Sequence, residues 1–283
     1  MSDSIVLSWS GGKDSALALR EVLRGGRRVV SLLTTVTEGD DRIGMHRVRL
    51  ALLERQAAAL NLPLRVVRVP RNPSNVEYEA RVLGALKEFQ AQGVTTAVFG
   101  DLFLADIRAY RDQMLARIGM KTEYPLWERD TGALAREFID AGFKAVLVCV
   151  DERQLEARFA GRWFNEALLR DLPSGVDPCG ERGEFHTFVC DGPAFSRPIT
   201  FRKAARTTDG PFHFCDLEPV EQGSDRSVTK HCPCCGAAFP CGPAAGQDHC
   251  WCFDLPHVGP VAGAEKNCLC PACLRTAVGL APK

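Results

Sequence analysis

The feature that most constrains the fold is the junction at residues 10–15, which reads Ser-Gly-Gly-Lys-Asp-Ser. An apolar run at residues 5–9 precedes it, and apolar residues spaced three and four apart follow it over residues 16–23. These patterns predict a buried strand that passes through two glycines straight into an amphipathic helix. A loop at the carboxyl end of a parallel strand presents backbone N–H groups at a helix N-terminus. The junction therefore predicts an anion-binding site in an α/β fold.

The residue types in this junction suit a phosphate group. Two glycines let the backbone approach an anion with no Cβ in the way, and Lys13 adds a cation between flanking hydroxyl groups. Asp14 fits such a site if it binds Mg²⁺ or caps the helix. The alternative is a simple glycine turn with a lysine at the surface. We expect a phosphate-binding loop formed by Ser10, Gly11, Gly12, Lys13, Asp14 and Ser15.

Strand and helix patterns alternate through the first half of the chain, which is typical of a parallel sheet covered on both faces. Further strands are predicted at residues 29–36, 64–69, 96–101 and 143–150, with helices at residues 47–60, 74–92, 107–118 and 131–141. Ser74 followed by Glu77 is a capping-box signature for one of these helices. We expect a parallel, doubly wound, Rossmann-like (HUP) sheet whose domain spans residues 1–125.

The second half changes in character. Turn signals cluster between residues 173 and 193, with short β-like runs at residues 185–189 and 199–201. We expect an α+β substrate-binding lobe over residues 126–220. Residues 221–227 are typical of a linker, and a cysteine-rich module over residues 231–275 follows.

Composition excludes some classes of function. Basic and acidic residues balance at 35 each, which gives no support for a general nucleic-acid-binding surface. The longest apolar run, residues 145–150, is too short to cross a bilayer. Residues 1–15 lack the basic segment, apolar core and cleavage site of a signal peptide. We expect a cytoplasmic protein that does not bind a membrane.

The hexamer at residues 10–15 resembles the pyrophosphate-binding loop of ATP pyrophosphatases, which cleave ATP between its α- and β-phosphates. Further motifs follow in order: His46, Gly100-Asp101, residues 123–127 (Glu-Tyr-Pro-Leu-Trp) and residues 179–188 (Cys-Gly-Glu-Arg-Gly-Glu-Phe-His-Thr-Phe). Together they resemble the diphthine–ammonia ligase branch of that superfamily, over about residues 4–200. The resemblance implies ATP-dependent amidation. A carboxylate attacks the α-phosphate, pyrophosphate leaves, and ammonia displaces AMP. The carboxylate is diphthine on an elongation factor or a small metabolite.

The resemblance also implies roles for individual residues. It indicates ATP and Mg²⁺ as cofactors, with Gly100 joining the phosphate loop in nucleotide binding. Asp101 could instead cap the next helix, the two glutamates could lie in a solvated turn, and His46 could be a cap or surface group. The catalytic candidates are Lys13, Asp14, Asp101, Glu181 and Glu184. The candidates for substrate binding are His46, Glu181, Glu184 and His186.

Nine of the thirteen cysteines lie between residues 232 and 273, and in a reducing compartment such clustering indicates metal ligation. Two Cys-Pro-x-Cys turns have the spacing of zinc knuckles, so Cys232, Cys235, Cys270 and Cys273 are expected to share one Zn²⁺. Cys241, Cys250, Cys252 and Cys268 would supply a second. Cys234 is left over, and a histidine at 231, 249 or 257 could replace a thiolate. A redox or persulfide-carrying tail is the alternative.

The tail resembles the small cysteine-rich CWC modules, named for the triplet Cys250-Trp251-Cys252. About 45 residues cannot bury enough apolar surface to fold alone, so we expect the metal to stabilise the module. Such a module can dock a protein partner. Two rival functions stay open for the whole chain. One is an RNA-modifying enzyme dependent on Cys179, a residue that we otherwise expect to be a buried structural thiol. The other is a nucleotide sensor without turnover.

Overall fold

The computed structural model of the protein describes residues 4–220, 228–241, 269–277 and 279. The chain divides into two compact units, Met1–Val220 and Glu221–Lys283. The first unit holds two β-sheets, and the second holds a hairpin and a short helix among its described residues.

The first sheet has five parallel strands in the order β3-β2-β1-β4-β5. Its strands are β1 (Ser4–Ser8), β2 (Arg28–Thr37), β3 (Leu64–Val69), β4 (Thr96–Val98) and β5 (Lys121–Glu123). The prediction of a parallel, Rossmann-like sheet is confirmed. The three-residue strand β5 was not expected, because it has no buried residue to give it an apolar pattern.

Four helices connect these strands and cover both faces of the sheet. They are α1 (Lys13–Arg24), α2 (Leu50–Ala59), α3 (Asn75–Gln90) and α4 (Ala105–Ala116). Alternate residues of β1 belong to different cores, with Leu7 packed in the core that includes α1 and α2, and Val6 in the core of α3 and α4. The predicted capping box is present, because Ser74 and Glu77 bond reciprocally at the start of α3.

The second sheet is antiparallel, with strand order β7-β6-β9-β8. Its elements are α5 (Thr131–Asp140), β6 (Lys144–Asp151), α6 (Glu166–Asp171), β7 (Phe185–Asp191), β8 (Phe201–Asp209) and β9 (Phe212–Pro219). The expected α+β lobe is therefore present, although strand β9 was not predicted. Phe138, Val146 and Phe185 of this lobe pack in the same core as Leu17 and Leu53 of the first sheet's helices. The shared core brings strand β7 next to the loop at residues 10–15.

In the second unit, β10 (Val228–His231) and β11 (Ala238–Cys241) form an antiparallel hairpin, and α7 (Pro271–Ala277) follows later in the chain. Cys232, Phe239, Leu269 and Cys270 are its buried core among the described residues. The described part of this core is too small to stabilise a domain by itself.

No described helix combines the length and the apolar character needed to cross a bilayer.

Candidate functional site

A cavity of about 450 Å³ opens at the carboxyl ends of β1 and β4. Parallel α/β sheets bind ligands at this edge, because the loops there lead into helix N-termini. The predicted residues that line the cavity are Ser10, Lys13, Asp14, Ser15, His46, Gly100, Asp101, Glu181 and His186. Most of the predicted site is therefore gathered around a single cavity.

The loop at residues 10–15 is fixed by its own hydroxyl groups. Gly11 has a φ of +75°, which favours glycine, and Gly12 is the N-cap residue of α1. The N–H of Gly12 donates to Ser10 Oγ at 3.2 Å, while Ser15 Oγ donates to the Gly12 carbonyl at 2.9 Å. These bonds hold the first turn of α1 with its N-terminus toward the cavity, where an anion is favoured.

Lys13 is a buried cation at the first position of α1. Its Nζ lies 2.9 Å from both carboxylate oxygens of Asp14. Burial opposes the charge on Lys13, but the Asp14 carboxylate outweighs it, so the pKa of Lys13 lies above its ordinary value. Lys13 therefore carries a positive charge at neutral pH, and a phosphate group could replace part of its contact with Asp14.

Asp101 lies in the loop after β4 and forms an ion pair with Arg111 of α4. Arg111 also lines the cavity, with its guanidinium carbon 4.5 Å from the centre of the Phe99 ring. Sequence reasoning missed Arg111, because an arginine on an amphipathic helix gives no signal that separates a ligand from a surface group. The pair adds a carboxylate and a guanidinium to the lining of the cavity.

Glu181 reaches the cavity from the loop before β7. One carboxylate oxygen accepts the backbone N–H of Leu102 at 2.8 Å, which joins this loop to the segment after β4. Burial raises the pKa of Glu181, and the nearby negative charge of Asp14 acts in the same direction. Glu181 is thus a stronger proton acceptor than an exposed glutamate.

Glu184 was expected beside Glu181 in a catalytic or substrate-binding role, but the structure does not bring it to the cavity. Its side chain is buried, and its two oxygens accept the backbone N–H groups of Asp177 and Arg182, each at 2.9 Å. Glu184 therefore fixes the shape of the turn that presents Glu181. Two glutamates three residues apart point to different surroundings, which their spacing alone does not reveal.

The imidazole rings of His46 and His186 face each other, with centroids 4.5 Å apart. Burial lowers the pKa of His46 to about 4 and takes the pKa of His186 well below its ordinary value. Both rings line the cavity and are neutral at pH 7. They can donate or accept hydrogen bonds without adding charge.

Cys179 is buried next to this site. Its N–H donates to Asp177 Oδ1 at 2.8 Å, and its Sγ lies 3.3 Å from the carbonyl oxygen of Thr131. Burial raises the pKa of the thiol to about 12. A protonated, buried thiol is a poor nucleophile, which favours the structural role expected for Cys179.

In the second unit, the predicted first metal site is assembled. The Sγ atoms of Cys232, Cys235, Cys270 and Cys273 all lie within 4.8 Å of one another. Tetrahedral thiolates at about 2.3 Å from a zinc ion are roughly 3.8 Å apart, so the cluster fits a bound metal. Cys234 is exposed and does not belong to this cluster of four. The other predicted ligands, Cys250, Cys252 and Cys268, together with the side chain of Cys241, lie outside the described residues.

The strand order and the glycine loop with its buried lysine define a class of α/β proteins that bind phosphate groups at the first strand–helix turn. Residues 3–122 match the family described as diphthamide synthase N-terminal domain, and residues 130–222 match diphthamide synthase C-terminal domain. The chain belongs to the diphthamide synthase family. Residues 232–275 match the cysteine-rich CWC family.

Several animal proteins and a yeast protein named diphthine–ammonia ligase are similar to the chain. The chain is 27% identical over 211 residues to the diphthine–ammonia ligase of Danio rerio, covering 67% of this chain and 83% of that protein. It is 26% identical over 216 residues to that of Homo sapiens, covering 67% and 79%. The Schizosaccharomyces pombe ligase is 26% identical over 214 residues, covering 67% of this chain but 34% of that protein.

Proposed function

We propose that this chain is an ATP-dependent ligase that joins ammonia to a carboxylate. Its relatives are named for that reaction with diphthine. The observation that supports it best is the single cavity shared by the phosphate loop, Asp101 and Glu181. A cavity of about 450 Å³ is in the range of pockets that bind small ligands and cofactors.

The reaction has two steps in this proposal. A carboxylate oxygen of the substrate attacks the α-phosphorus of ATP, and the bond to the bridging oxygen breaks, which releases pyrophosphate. Ammonia then attacks the carbonyl carbon, AMP leaves, and the nitrogen loses a proton. The cation of Lys13 and the N-terminus of α1 stabilise the negative charge that develops on pyrophosphate.

Mg²⁺ is an expected cofactor, and two carboxylates suit it. Asp14 and Asp101 line the cavity, and each is bound to a cation of the chain, Lys13 or Arg111. Carboxylate oxygens are the ligands that Mg²⁺ prefers, together with phosphate oxygens. When bound, the metal would neutralise charge on the phosphates. Lys13 and Arg111 would then be released to face the nucleotide.

Glu181 is the proposed proton acceptor for the ammonia step. Its raised pKa fits that role, and its bond to Leu102 holds the carboxylate at the cavity. His46 and His186 are neutral contacts for substrate. We assign Glu184 to the shape of the loop, because both its oxygens accept backbone N–H groups.

The carboxylate is diphthine or a small metabolite, and both remain proposals. We also propose that residues 1–125 bind the nucleotide, that residues 126–220 bind the substrate, and that the protein acts in the cytoplasm. The RNA-modifying alternative needs a reactive thiol at Cys179, and the raised pKa of this buried group argues against it.

We propose that the cysteine cluster of the second unit binds Zn²⁺ as a structural ion, since four thiolates at this spacing are typical of such sites. The second group of cysteines would hold a further ion. A module stabilised in this way offers a docking surface for a protein partner.

The deciding experiment uses ATP labelled with ³²P at the α-phosphate and identifies the labelled product. The protein is incubated with diphthine-containing protein or with small carboxylates, with and without ammonium. Labelled AMP that depends on both substrate and ammonium is the expected result. Labelled ADP would contradict the proposed cleavage point, and ATP binding without any release would indicate a sensor.

A further inference from the structure

The phosphate loop is supported by Gln56, a residue that does not line the cavity. Gln56 of α2 is fully buried, and its carboxamide is fully bonded. Its Oε1 accepts the indole N–H of Trp9 at 2.9 Å, and its Nε2 donates to the carbonyl oxygens of Gly11 at 3.0 Å and Val189 at 2.6 Å. A buried amide with all these partners fixes the position of each of them.

Gly11 leaves room for this amide because it has no side chain. A Cβ atom at residue 11 would lie 2.7 Å from Gln56 Oε1, closer than real Cβ contacts allow. The N–H of Val189 also donates to the Gly11 carbonyl at 2.9 Å. The backbone of the phosphate loop is therefore bonded to a strand of the second sheet.

That strand is β7, which is an edge strand of its sheet and pairs only with β6 there. A second bond joins it to the loop, because the backbone N–H of Lys13 donates to Thr187 Oγ1 at 3.1 Å. Thr187 is buried and lines the cavity. The edge of β7 that does not pair with β6 is therefore bonded to the phosphate loop.

We propose that Gln56 and Thr187 are positioning residues that hold the phosphate loop in its nucleotide-binding conformation, so that β7 of the second sheet completes the ATP site. This inference rests on the proposed function for its ligand. Gln56 comes from a helix of the first sheet, whereas the contacts of Thr187 and Val189 come from the second sheet. The turn that presents Glu181 lies just before β7 in the chain.

Thr187→Val is the informative variant, because it removes the hydroxyl with little change of shape. Thr187→Ser keeps the hydroxyl and should therefore retain ATP binding. Thr96→Val makes the same change at a buried threonine that does not line the cavity, because it lies at the amino end of β4. Gln56→Met removes all three bonds of the amide. ATP affinity is measured by calorimetry on the full chain, together with the KM values for ATP and for ammonium.

We expect Thr187→Val to weaken ATP binding and to raise KM for ATP about ten-fold, the equivalent of one lost hydrogen bond. Gln56→Met should weaken binding further. Thr187→Ser and Thr96→Val should stay within about two-fold of the natural protein, and KM for ammonium should not change.

The outcomes separate the two proposals. Unchanged ATP affinity in Thr187→Val overturns the positioning role, and so does an equal loss in Thr96→Val, which would indicate a general loss of stability. If the natural protein binds ATP but releases no AMP, the ligase function fails, while the affinities of the variants still decide the positioning role. A natural protein that binds no ATP overturns both.

Discussion

A Cβ atom on Gly100 would lie 2.8 Å from the backbone carbonyl carbon of Asp14 and 2.9 Å from its oxygen. The loop after β4 and the first turn of α1 therefore approach each other so closely that only a glycine fits at residue 100. Backbone atoms cannot move aside as the tip of a flexible side chain can. Gly100 and Asp14 both line the cavity, so this contact lies at the site itself.

Gly100→Ala should consequently separate the two loops. We expect ATP affinity to fall at least about ten-fold and the free energy of unfolding to fall by about 1–3 kcal/mol, the usual range for overpacking. Calorimetric titration with ATP and urea unfolding measure the two effects.

Gly84→Ala is the matched control, since Gly84 lies in the interior of α3 and an added methyl group would meet no other part of the protein within 4 Å beyond its own helix backbone and chain neighbours. This variant should gain about 0.5–1 kcal/mol of stability and keep its ATP affinity. If Gly100→Ala behaves like Gly84→Ala, the close approach has no role in the site.

Lys13→Met tests the cation of the phosphate loop. Methionine fills the space of the buried aliphatic stem but has no charge to stabilise pyrophosphate as it leaves. We expect the rate of AMP formation to fall by about two to three orders of magnitude, as when one transition-state donor is lost. The assay is the release of labelled AMP, with circular dichroism to check the fold. Turnover within a few-fold of the natural protein would exclude Lys13 from the reaction.

Much of the fold was predictable because it depends on local patterns. The period of apolar residues located α1, and Ser74 with Glu77 marked the start of α3 from four residues of sequence. Short strands such as β5 escaped prediction, because three residues give no period to read. The glycine loop was predictable for a similar reason, since its residues are consecutive in the chain.

The long-range contacts that fix the site residues in place were not predictable from the sequence. Gln56 occupies a helix where a polar residue ordinarily indicates the solvent face, and it is buried because its partners Trp9, Gly11 and Val189 lie 45 to 133 residues away. Glu181 and Glu184 have the same chemistry and neighbouring positions, yet tertiary contacts send one to the cavity and the other into backbone bonds. Such differences depend on long-range packing that a single sequence does not display.

The stability of the protein should depend on pH through His46. Its pKa is about 4 when folded and about 6.5 in an unfolded chain, so the unfolded state binds the proton more readily. Stability from this group is complete above pH 6.5 and is lost as the pH falls toward 4. The expected loss between pH 7 and pH 5 is about 2 kcal/mol.

His46→Gln removes this titration and provides the comparison. Urea unfolding of both proteins at pH 7 and pH 5 should show a smaller pH effect in the variant, by about 2 kcal/mol. Titrating groups that do not contact His46 contribute to both proteins and cancel in the difference. His186 lies against His46, which lowers the pKa of His186, so His186 is replaced by glutamine in both proteins. An identical pH effect in the two proteins would mean that His46 is not buried in its neutral form.

The cysteine cluster makes a prediction about metal content. If four thiolates hold a structural ion, Cys232→Ser should release one zinc ion per chain and leave the second unit open to proteases, because its described core is too small to be stable alone. Cys234→Ser changes an exposed cysteine of the same turn that is not one of the four clustered ligands, and it should keep the full metal content. Zinc is measured by elemental analysis, and cleavage by limited proteolysis.

With both cysteine groups occupied, the natural protein should contain two ions and Cys232→Ser one. Equal zinc content in Cys232→Ser and Cys234→Ser would rule out the cluster as the binding site.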